Sequence, residues 1–154
     1  MSAGPARRIL VVWDPCRHSG DAFRSLIEET EGRPAEVELV AANVPRRILT
    51  SFALSTGLLP GALEAEELRD LEGRVREFVG GLPRNLGIRS RIQGGDPDQV
   101  AARVLERDSF DLVIVVDSFR LPFRRRVCAR RLAGIARLVL VSAGRAESRT
   151  LVSA

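Results

Sequence analysis

The 154-residue chain has no lysine, one histidine, two cysteines and no aliphatic run longer than 112–116. Each scarcity excludes something. A run of that length falls far short of the roughly 20 apolar residues that a membrane-spanning helix needs. The other short run, 9–13, is closed by Asp14-Pro15 with no small-residue cleavage site, unlike a signal peptide. The expected location is therefore cytoplasmic, with no membrane contact. Cys16 and Cys128 lie far apart, and neither sits in a CxxC or Cys/His cluster. That spacing suits neither a zinc site nor a secreted disulfide framework, so no metal is expected.

The missing lysine explains the high isoelectric point. All 24 basic residues are arginine, so the small +4 excess persists to very high pH. A pI near 10.7 is then no mark of a nucleic-acid binder. The basic character is also local. Arg120, Arg124, Arg125, Arg126, Arg130, Arg131 and Arg137 share a stretch without a single acid, while elsewhere 17 arginines face 20 acidic residues. Only Phe119 and Phe123 are interleaved with this cluster, and nothing there matches a nucleic-acid reading motif.

What is present is a globular composition, 45% apolar and 29% charged, at a length that suits one domain over 1–154. Residues 8–13 (RILVVW) form a continuous aliphatic run that reads as a strand buried on both faces. Gly20-Asp21 offers a helix start, and Phe23, Leu26, Ile27 and Thr30 keep helical spacing until Gly32 and Pro34. Residues 36–44 (EVELVAANV) predict a second strand, and 46–61 a long, partly helical connection. From 62 a helix follows, with Leu68, Leu71, Val75, Phe78, Val79 and Leu82 as its apolar stripe.

Residues 88–93 (IRSRIQ) alternate like an edge strand. Asp96-Pro97 then starts a short helix with Val100, Ala101, Val104 and Leu105 buried. Residues 111–118 (DLVIVVDS) predict a central strand, about 125–136 a last helix, and 137–142 (RLVLVS) a closing strand, with 145–154 left as a frayed end. Strands and helices alternate throughout, which predicts a three-layer α/β fold with a doubly wound parallel sheet. The closing strand is apolar on both sides, and such an edge invites a second chain. A homodimer through Leu138, Val139, Leu140 and Val141 is expected.

Three places resemble the universal stress protein family: the first strand ending in Asp14, the second ending at Asn43-Val44, and Gly94-Gly95-Asp96-Pro97 leading through Val100-Ala101 to 110–115. The resemblance implies a five-stranded sheet of order 3-2-1-4-5, often dimeric through the last strand. Nucleotide-binding members carry a glycine-rich loop after strand four, whose bare amides wrap the phosphates. Here that stretch is Asp117-Ser118-Phe119-Arg120-Leu121-Pro122-Phe123, with no glycine before Gly134. The chain is similar to the branch that lacks the phosphate loop. Of the family's nucleotide contacts the resemblance carries over only Asp14, for adenosine, and Val44, for the base.

A ligand in such a sheet sits at the carboxyl ends of strands one and four, where Asp14, Cys16, His18, Asp117 and Ser118 gather. With one histidine and no anion hole, this set gives no catalytic constellation. Cys128 fits a small buried hydrophobe. The arginine cluster has two readings. Arg120, Arg124 and Arg125 hold a phosphate or acidic partner by guanidinium forks, or they form a solvated helix face. The expected function is a non-enzymatic, dimeric stress-response protein acting through an unidentified protein partner, without cofactor. The alternative is a small-ligand sensor holding ATP, AMP or another anion in the strand one/four cleft.

Overall fold

The computed structural model describes residues 6–44, 60–117, 137–142 and 149–152. In chain order the elements are β1 (Arg7–Trp13), α1 (Ser19–Thr30), β2 (Ala35–Asn43), α2 (Pro60–Gly80), β3 (Leu86–Gly94), α3 (Pro97–Leu105), β4 (Leu112–Asp117), β5 (Arg137–Ser142) and β6 (Arg149–Val152). They build one sheet of order β3-β2-β1-β4-β5-β6. The first five strands pair in parallel, in the expected 3-2-1-4-5 order.

The continuous aliphatic runs take the middle of the sheet because both of their faces are covered. In β1 every residue from Ile9 onward is buried. Val11 stands beside Leu39 of β2 on one flank and Ile114 of β4 on the other. On one face Ile9, Val11 and Trp13 join Leu26 of α1 and Val75 and Phe78 of α2 in a core. On the other, Leu10, Val12, Val113 and Leu140 pack under Val100 and Val104 of α3. Helices on both faces make the α-β-α layering, and the alternation of strand faces decides which core each side chain enters.

Three expectations change. Helix α1 begins at Ser19 with His18 in the N-cap position, whose carbonyl accepts the first helical bond from Ala22 N–H at 3.1 Å. Gly20-Asp21 lies in the first turn instead, where the Asp21 carboxylate favours the positive helix end. Leu68, placed on the buried stripe of α2, is 41% exposed, while Leu71, Val75 and Phe78 of that stripe are buried.

The third change concerns the end of the sheet. β5 does not close it: β6, inside the segment expected to fray, pairs antiparallel with β5, with Leu138 opposite Val152 and Val141 opposite Arg149. The residues expected to form an interchain edge are therefore internal to the chain's own sheet. Leu138, Val139 and Leu140 are fully buried and Val141 is partly buried. An apolar strand with an open edge is a liability that chains commonly cover, and here the chain supplies the cover itself.

The predicted helix near 125–136, with Cys128, and the connection over 46–59 lie outside the described residues. Among the described residues no helix is long and apolar enough to cross a membrane.

Candidate functional site

The loop leaving β1 is held by its own polar groups. The Asp14 carboxylate, 5% exposed, accepts the Cys16 N–H through Oδ1 at 2.9 Å. The Asp14 carbonyl accepts N–H bonds from Arg17 at 3.2 Å and His18 at 3.0 Å. Ser19 Oγ donates to the Pro15 carbonyl at 3.0 Å and accepts the Trp13 indole N–H at 3.3 Å. This set turns the chain from strand to helix within five residues, and it engages the buried acid in backbone geometry.

Trp13 is fixed from the core side as well. Its ring lies 4.6 Å from that of Phe78, and Phe23 meets Phe78 edge-on at 5.8 Å. The strand end that presents Asp14 is thus clamped by α1 and α2 together.

Asp14, Cys16 and Val44 come together around one small cavity of about 20 Å³, which Ala42 and Asn43 of β2 and Glu67, Asp70 and Leu71 of α2 complete. The family resemblance points to Asp14 and Val44, whereas the sequence singles out neither Glu67 nor Asp70, and Asp70 remains exposed. Nothing local distinguishes these two acids from Glu66 or Glu72, since only the packing of α2 over the strand ends brings them in. His18 starts the helix through its backbone carbonyl, with no side-chain cap bond, and does not line the cavity. Asp117 ends β4, opposite Ser142. Ser118, Arg120, Arg124 and Arg125 lie outside the described residues.

The charged groups at this corner are three carboxylates, one of them paired with an arginine. Asp14, Glu67 and Asp70 bring three carboxylates to the cavity. Asp70 Oδ2 accepts Arg74 Nε at 3.0 Å, and this bond, with the carboxylate charge and a smaller contribution from Cys16, pushes the Arg74 guanidinium further above its ordinary value. Arg74 therefore stays charged at every pH the fold meets, bound to Asp70. Among the described residues no group of three or more His, Cys, Asp or Glu side chains stands close enough to hold a metal ion.

No family model matches the chain. No curated protein matches it either. Solved structures do. A structure of the hypothetical protein MJ0577, solved to assign its biochemical function, superimposes with a TM-score of 0.63 at 13% identity, over 92% of this chain and 98% of that one. A universal stress protein in complex with cAMP gives a TM-score of 0.47 at 16% identity, over 89% of this chain and 98% of that one. The first likeness shows the fold: the five-stranded order with flanking helices is shared along nearly the whole length of both chains.

Proposed function

We propose that the chain is a universal-stress-protein-like domain that works as a non-enzymatic protein-binding module and does not hold an adenine nucleotide. One observation carries the reading. Among the described residues, the corner at Asp14 and Val44 leaves a cavity of about 20 Å³, bordered by an Asp14 that accepts the Cys16 N–H and by the α2 acids Glu67 and Asp70. A space of that size takes roughly one water molecule, whereas ligand pockets run to about 300–1,000 Å³.

Charge points the same way. A nucleotide is an anion, and the buried Asp14 carboxylate at this corner raises the cost of bringing it in. The sequence after β4 adds phenylalanine, proline and arginine where glycine amides would approach phosphate oxygens. Catalysis has no support in the β1 loop, where the histidine backbone starts a helix and the acid braces a turn.

The dimer proposal moves with β6. A second copy meeting this end of the sheet encounters β6 rather than Leu138–Val141, so β6 has to move aside before those residues can form an interface. Calorimetric titration of the full chain with ATP, ADP and AMP tests the functional reading. No saturable heat is expected at micromolar concentrations. Saturable heat that is lost on Arg124→Ala would favour a nucleotide sensor instead.

A further inference from the structure

At the opposite end of the sheet, β3 pairs among the described residues with β2 alone. Its two faces differ in chemistry. Ile88 and Ile92 pack towards the core beneath α2. Strand alternation puts Arg89 and Arg91 on the reverse face. Between α2 and β3 lies an open groove of about 560 Å³, with Leu68, Val75, Val79 and Ile92 as its apolar lining and Glu72, Arg76 and Arg91 as its charged lining. That volume falls within the range of ligand-binding pockets. Leu68, the large hydrophobic exposed on the described surface, lies in this groove.

Charge decides what the edge accepts. Were a second copy to add its own β3 antiparallel about Ser90, each Arg89 would stand opposite the other copy's Arg91, and directly opposed like charges destabilise a strand pair. Edge cations of this kind block self-association. An acidic strand reverses the sign, and the inner neighbour of β3 already has that pattern. In β2, Glu36 and Glu38 alternate with the buried Val37 and Leu39, and the Glu38 carboxylate meets the Arg91 guanidinium at 3.2 Å. Arg89, which stands beside Glu38 in the sheet register, and Arg76 are both exposed and form no ion pair among the described residues.

We infer that the outer edge of β3 docks an extended segment of a partner protein in which acidic and apolar residues alternate. The segment adds to the sheet as a further strand. Its acids reach Arg89 and Arg91, and its apolar side chains settle between Leu68, Val79 and Ile92. Main-chain hydrogen bonds supply affinity and the alternating side chains supply selectivity. This surface rests on the protein-binding reading above and gives that reading a location and a partner chemistry.

The test is fluorescence anisotropy on the full chain with a labelled Gly-Glu-Val-Glu-Val-Glu-Val-Gly peptide and its lysine-for-glutamate counterpart. The acidic peptide is expected to bind saturably and the basic one not at all. Arg89→Glu should weaken the acidic peptide by about tenfold or more and admit the basic one, and Leu68→Asp should weaken the acidic peptide comparably. Unchanged far-UV circular dichroism shows that each variant folds. No saturation up to about 1 mM overturns the inference, as does equal binding of the two peptides or an Arg89→Glu variant without effect. A dimer that Arg89→Glu abolishes gives the edge to a second copy and overturns it too. The nucleotide titration separates the two claims: peptide failure without nucleotide binding removes only this surface, whereas saturable nucleotide binding removes the protein-binding reading itself.

Discussion

Asp14 and Cys16 are joined across Pro15 by a 2.9 Å bond from the Cys16 N–H to a carboxylate that solvent barely reaches. The position that resembles a nucleoside contact is thereby a structural brace. Asp14→Ala should cost about 1–3 kcal/mol, because the amide loses its partner in a part-buried loop. Asp14→Asn keeps an acceptor oxygen and should recover most of that loss. Urea denaturation of the three proteins checks this, and equal stability of the alanine and asparagine variants would exclude the brace.

The Trp13–Phe78 contact links the β1 end to α2. Phe78→Ala should destabilise the fold by about 3–5 kcal/mol, the usual cost of deleting a buried aromatic ring. Thermal unfolding followed by tryptophan fluorescence reads both the loss and the freed indole. A shift in midpoint without a change in native emission would place Phe78 away from the tryptophan.

Gly95 adopts φ +124°, and a Cβ there would lie 2.5 Å from the Arg103 guanidinium, which itself donates to the Gly94 carbonyl at 2.9 Å. The guanidinium can swing away, but the backbone strain cannot be relieved. Gly95→Ala should cost about 1–3 kcal/mol by denaturant unfolding. A cost near zero would show that the turn tolerates another conformation.

Much of this architecture is legible in the residues themselves. Continuous aliphatic runs fix β1 and β4 as central strands, and the alternation of 88–93 marks β3 as an edge. β6 escapes detection because four residues, Arg149–Val152, are too few to show a period, and only the open edge of β5 gives them a partner. At the candidate site, Asp14 and Val44, each the first residue after a strand, are singled out by the family resemblance. Glu67 and Asp70 are not, since a helix face reads as solvated until the sheet it crosses is known.

The covering role of β6 makes a prediction about association. Truncation before Arg149 bares the edge of β5 and should drive Leu138–Val141 into pairing between chains, giving dimers or larger species in sedimentation velocity. An unchanged sedimentation coefficient would show that β5 is protected without β6.

Denaturing freshly purified, folded protein and separating what it releases by chromatography at the nucleotide absorbance tests most directly that the chain holds no adenine nucleotide. An empty cleft releases no adenine species. One equivalent of nucleotide per chain would contradict the non-binding assignment outright.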